Sequence, residues 1–291
     1  MASIRDLRSR IKSINNIRQI TRAMEMVATT KLRRFQDKAV ASRPYSREIT
    51  GLVGRMARVL GEETLGRPLF NPGGGSRIAV LLVTSDRGLC GAYNTNVFKA
   101  LEIWLRENPG REVDYFVIGR KGNQYLTRRG RNVERFLAEP PLEKIDYRAA
   151  ARTSKVLVDA FLAGRYERIV GFYTAFESVV RYVPTRMPFL PIESVPTVAG
   201  VEEGAEGNLI LEPDAAVIFD ALVPRYLETR IFNALLESLT SEFASRRVSM
   251  KNATDAAKSM GNALRKLYNR KRQENITKEL LDIVGGAEAV R

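Results

Sequence analysis

The chain predicts an α/β protein in which two long terminal helices pair as an antiparallel coiled coil and a mostly parallel sheet fills the middle. Three observations carry that expectation. Apolar and small residues recur every three or four positions at both ends; proline and glycine are sparse in those ends; and between them short apolar runs alternate with helical patterns.

The C-terminal stretch shows the periodicity most clearly. Phe243, Met250, Ala253, Ala257, Met260, Leu264 and Leu267 make a heptad seam, with Arg246 as its one polar member. No glycine or proline cluster interrupts residues 225 to 284, so about 60 residues can run as one helix, roughly 90 Å long. The N-terminal partner, residues 1–58, offers Ile4, Leu7, Ile11 and Ile14, then Ile17, Ile20, Met24 and Val27. The short step from Ile14 to Ile17 predicts a stammer. Ala28, Leu32, Phe35 and Ala39 continue the stripe, Ser3 is the expected N-cap with the acidic Asp6 in the first turn, and Pro44 predicts a bend. With the C-terminal helix at 213–287, chain length sets residue 3 level with about residue 267. Beyond Leu267 the first helix has run out. Ile276, Leu280, Ile283 and Val284 are then left without an intrachain mate, so either another protein covers them or the end folds back or frays.

Residues 59–76, with Pro68, Pro72 and Gly73 to Gly75, read as a linker. In 77–194, the apolar run of residues 77 to 85 has the character of a strand buried on both faces. A turn follows at Asp86 to Gly91, then a helix over 95–107, a strand over 113–119, a short helix over 123–129 and a strand over 132–138. A helix over 146–162 and a strand over 167–175 come next. Residues 179–184 and 186–191 predict a hairpin or two edge strands, because their prolines suit edges. Residues 195–212 read as a loose loop.

Composition narrows function. Residues 1–60 hold 14 Lys or Arg against 4 Asp or Glu and residues 243–291 hold 11 against 5, together +16 of a net +14, so the rest of the chain is slightly acidic and the basic excess belongs to the two ends. That predicts an acidic surface around the helix pair. A nucleic-acid backbone is the rival, but zinc-finger spacing, aromatic RNA-binding motifs and basic-zipper order are all missing. Histidine is absent and Cys90 is the only cysteine, which excludes His-based triads, His metal ligands and an intrachain disulfide. No apolar run is long enough to span a bilayer, so membrane contact is expected only through partners. The first 20 residues have a transit-peptide composition, but their stripe continues past residue 27. The turn at Asp86 to Gly91 matches neither phosphate-loop pattern. Asp86 and Arg87 are therefore expected to pair locally or shape the turn, and Cys90 to be a small buried or half-buried residue. No catalytic residue, metal site or cofactor is expected.

Three stretches bring a family into view: ITRAMEMVATTKLRR (residues 20–34), SDRGLCGAYN (85–94) and ITKELLDIVGGAEAV (276–290). With them the whole chain resembles the gamma subunit of the F-type ATP synthase. The resemblance implies a Rossmann-like middle domain and a rotor at the cytoplasmic face of the bacterial inner membrane. Its coil would stand within a hexamer of alpha and beta subunits, and its base, with the epsilon subunit, on the membrane c ring. It further implies rotor–stator contacts at Met24, Arg33, Arg34, Glu242, Arg246, Arg272, Gln273 and Thr277, those on the C-terminal helix lying either against the stator or within the shaft. A tip of Ile276, Leu280, Ile283 and Val284 would turn in an apolar sleeve, and Glu212 would be a foot on the c ring. Leu209 and Leu211 depart from tyrosines found in some relatives.

Overall fold

The computed structural model describes residues 3–137, 139–193 and 214–289; the expected loop, with Leu209, Leu211 and Glu212, lies outside them. Helix α1 covers Ile4–Leu60, α2 Glu62–Leu65, α3 Tyr93–Glu107, α4 Arg120–Thr127, α5 Tyr147–Leu162 and α6 Ala215–Ala289. The strands are β1 Arg77–Val83, β2 Val113–Ile118, β3 Val133–Phe136, β4 Tyr166–Phe176 and β5 Tyr182–Leu190. The chain divides into two units, residues 1–29 with 246–291, and residues 30–245.

In the first unit, Ser3 and Asp6 close a reciprocal cap: each backbone N–H donates to the other's side chain at 3.1 Å. The two helices run antiparallel, since Arg8 donates to the Tyr268 hydroxyl at 3.1 Å while the Thr21 and Thr254 hydroxyls meet at 2.9 Å. Gly261 lies against Ile14, where an added Cβ would be 3.6 Å from its Cγ2. These pairs bring residue 3 level with about residue 272, roughly a turn and a half beyond the expected 267.

The seam itself also differs from expectation. Its inward positions run Ile4, Leu7, Ile11, Ile14, Arg18, Thr21 and Ala28, an even alternation without a stammer, with Met24 half-buried beside it. Ile17, Ile20 and Val27 face out, at 48%, 59% and 55% exposure. The physical reason is that polar residues occupy the inner layer: Thr21 is satisfied by Thr254, and the Arg18 stem is apolar enough to line a seam. On α6 the inward positions after Ala257 are Gly261, Leu264 and Tyr268, and the expected Met260 and Leu267 are exposed.

In the second unit a five-stranded sheet has the order β3-β2-β1-β4-β5, parallel except for the antiparallel β4–β5 edge. Every residue of β1 after Arg77 is buried, as its continuous apolar run requires. On one face Ile78, Val80 and Leu82 pack with Val97, Leu101 and Trp104 of α3 and Leu126 of α4. The expected pair of edge strands is instead the single strand β5, which pairs with β4 over nearly its whole length. Pro184 and Pro188 are accommodated because β5 is an edge. The expected linker contains α2 and a 3-10 turn at Pro68–Phe70. Helix α1 continues through Pro44 and α6 through Pro224.

The carboxyl ends of the strands are stitched together. Asp86 Oδ1 accepts from Arg120 N at 3.1 Å, opening α4, and Oδ2 accepts from Leu142 N at 3.2 Å. Gly119 has φ 97, and a Cβ there would lie 2.0 Å from the Thr84 carbonyl oxygen. Only glycine fits that approach.

Two predictions test this arrangement. A cysteine pair at Thr21→Cys and Thr254→Cys forms a disulfide on mild oxidation, whereas Thr21→Cys with Ser249→Cys, the pair implied by the shorter register, does not; non-reducing electrophoresis reads both. Asp86→Ala leaves two amides unpartnered and lowers stability by about 2 kcal/mol in urea titration.

Candidate functional site

The hallmark turn of residues 85–94 binds this chain to itself. Ser85 Oγ donates to Arg87 O at 2.7 Å and accepts from Asn94 Nδ2 at 2.7 Å, while Asn94 Oδ1 accepts from Ser85 N at 3.0 Å. Cys90 is buried, with the Asn94 amide donating to its sulfur at 3.3 Å. From α6, Ser245 Oγ donates to Cys90 O at 2.6 Å and receives the Tyr182 hydroxyl at 3.1 Å. Ser238 Oγ accepts from Thr174 N at 3.3 Å, and Ser241 Oγ donates to Thr174 O at 3.3 Å. These short hydroxyls latch the turn and β4 to α6. Burial, and then the nearby charge of Glu242, push the Tyr93 phenol up, so it stays a neutral packing group.

One residue of the turn points the other way. Leu89 has φ 63, in the left-handed region that a leucine adopts at a cost of about 1 to 2 kcal/mol, yet it is 63% exposed. An apolar side chain held outward under strain is a contact candidate that sequence reasoning missed. Neither periodicity nor composition carried a signal for it. A second missed group is the outward stripe Ile17, Ile20 and Val27, which a strict heptad count from Ile14 would have found.

The sequence-predicted residues fall into three groups. Arg33 and Arg34 are exposed on α1, and Arg272, Gln273 and Thr277 are exposed on α6. Met24 is half-buried. Glu242 and Arg246 are only 3% and 7% exposed, in keeping with the expectation that places them within the shaft. Ile276, Leu280, Ile283 and Val284 are 47%, 57%, 67% and 62% exposed, and every residue from 272 to 284 is exposed. Glu212 lies outside the described residues. Among the described residues there is no cluster of three metal-ligating side chains, and no helix is long and apolar enough to cross a membrane.

Comparison with known proteins places this geometry. A family model described as ATP synthase matches residues 3–290. The chain is 36% identical over 293 residues to the ATP synthase gamma chain of Geotalea uraniireducens, covering all of both chains. It is 38% identical over 298 residues to that of Ralstonia nicotianae, again with full coverage of both. Among solved structures it is similar to a chain of the Euglena gracilis mitochondrial ATP synthase, with TM-score 0.63 and 18% identity over 99% of this chain and 94% of that one. It is also similar to a chain of the Tetrahymena thermophila mitochondrial ATP synthase central stalk and c-ring, with TM-score 0.59 and 22% identity over 80% of this chain and 99% of that one. At these identities the structures bear on the fold alone.

Two substitutions separate the latch from the surface. Ser245→Ala removes a donor and an acceptor from a buried network and lowers stability by about 1 to 3 kcal/mol in urea. Leu89→Asn leaves stability unchanged or raises it by up to about 1 kcal/mol, because asparagine tolerates the left-handed region; a loss above about 1 kcal/mol would assign Leu89 to packing.

Proposed function

The chain belongs to the ATP synthase gamma-chain family, and from that premise we propose that it is the central-stalk rotor that couples ion-driven rotation of a membrane c ring to the catalytic cycle of surrounding subunits. The observation that carries the reading is the bare end of α6, where four large aliphatic side chains at helical spacing are exposed beyond the last inward residues of the coil. Water is a poor solvent for such a stripe, and an apolar sleeve formed by alpha and beta subunits would cover it.

Rotation requires an object whose faces differ, because a bound body shifts a neighbour's conformational equilibrium only through differential affinity for its states. Two unlike helices supply that asymmetry. The outward Ile17, Ile20 and Val27 lie on one helix, and the exposed arginines 33 and 34 on the same helix add charge. Exposed ion pairs are each worth about 0 to 1 kcal/mol, weak enough to exchange as the rotor turns. Met24 and the exposed Arg272, Gln273 and Thr277 belong to the same contact set, whereas Glu242 and Arg246 act within the shaft. The epsilon subunit and the c ring hold the base, with Glu212 as the foot, at the cytoplasmic face of a bacterial inner membrane. ATP is made or cleaved on other chains: the polar groups of this chain's strand-to-helix turn are engaged in its own hydrogen bonds.

Two measurements test the proposal. A tagged full-length chain brings down an alpha/beta hexamer with ATPase activity. Arg33→Glu with Arg34→Glu leaves that assembly intact but lowers ion-driven ATP synthesis several-fold in reconstituted vesicles; unchanged synthesis would remove these two arginines from the contact.

A further inference from the structure

Within residues 30–245, α1 and α6 enclose with Phe176 a half-open cavity of about 340 Å³, large enough for a small ligand. Its wall is mixed: beside the apolar Ala39, Phe176 and Leu236, the polar Arg43, Ser46 and Arg47 from α1 face Asn233, Glu237 and Thr240 from α6. Arg43 and Arg47 are four residues apart and share a helix face, where like charges repel. Neither guanidinium is held by an ion pair among the described residues. Asn233 Nδ2 donates to Ser46 Oγ at 2.7 Å, which leaves the Ser46 hydroxyl proton free to point into the cavity.

We propose that this cavity binds a tetrahedral dianion of the sulfate or phosphate class, either the free ion or the terminal phosphate of a nucleotide, held by Arg43 and Arg47 with Ser46 as a neutral donor. The planar forks of two arginines suit two edges of such an ion, and the ion relieves their mutual repulsion. Glu237 supplies control. Burial raises its pKa, against the opposing pull of the Phe176 N–H and Arg43. The other groups facing it are Arg47 from α1 and Tyr173 from β4, whose phenol is pushed up to about 12 chiefly by its own burial, with Arg230 of α6 beside Tyr173. A dianion beside Glu237 disfavours the carboxylate further, so protonated Glu237 becomes a donor and binding tightens as pH falls.

The inference stands apart from the rotary reading and is tested on the isolated full-length chain. Isothermal titration with sulfate, which keeps its charge across the range, is run at constant ionic strength from about pH 8 down to about pH 5, toward the carboxylate range. The expected result is saturable one-to-one binding that strengthens toward the lower pH, falls about tenfold or more in Arg43→Gln with Arg47→Gln, and loses its pH dependence in Glu237→Gln. Circular dichroism checks that both variants fold. Inorganic phosphate and ADP then separate the sources: equal affinity identifies a free-ion site, and much tighter ADP binding identifies a nucleotide site. No saturable heat with sulfate, phosphate or ADP, or affinity unchanged in the folded double variant, overturns the site; pH-independent binding by the unmodified chain overturns the role of Glu237.

Discussion

The structure depends on how α6 is buried along its length. From Ala234 to Arg246 nearly every residue of that helix is buried, which a helix tolerates only if its sides are apolar, small or satisfied. The chain meets this with short hydroxyl side chains. Thr229 and Thr240 return their protons to carbonyls one turn back at 2.7 Å, and Ser238, Ser241 and Ser245 bond to β4 and the turn after β1. Aromatic contacts fill the remaining space: Phe243 stacks on Phe35 at 5.5 Å, and Lys31, paired with Glu143, lies 5.3 Å from the Phe243 ring. A rotor must carry load between its helices and its sheet, and hydrogen bonds with fixed geometry resist sliding better than apolar packing alone.

The burial of α6 also explains why the same helix changes character. Around residues 234–246 it is enclosed; from 247 to 271 one face is covered; from 272 to 284 none is. Such a gradient is costly in water unless the bare part has a use, because Ile276, Leu280, Ile283 and Val284 would otherwise favour self-association. The charge distribution agrees, since the basic excess of the terminal helices keeps the free chain soluble and suits an acidic surround.

Much of this is legible in the sequence, and the departures share a cause. The strand from Arg77, the N-cap at Ser3, the burial of Cys90 and the bare aliphatic end all follow from local pattern, and the structure contains them. The seam departs from its pattern where apolar letters lie beside the heptad instead of on it. Ile17 and Ile20 draw the stripe outward by one position, while the true inward pair, Arg18 and Thr21, is polar. Hydrophobicity marks what avoids water in the final assembly, and in a chain built to contact partners that differs from what is buried in the chain itself. Glu242 and Arg246, expected from the resemblance either against the stator or within the shaft, are buried in the chain itself, which suits the second of those places. The single β5 escapes the sequence pattern because Pro184 and Pro188 break a propensity run without breaking an edge strand.

Amide hydrogen exchange across residues 272–284, compared between the free chain and the assembled complex, tests the central claim most directly. The account predicts rapid exchange in the free chain and strong protection on assembly, centred on Ile276 to Val284. Equal exchange rates in the two states would contradict it, because an end that no neighbour covers cannot turn in a bearing.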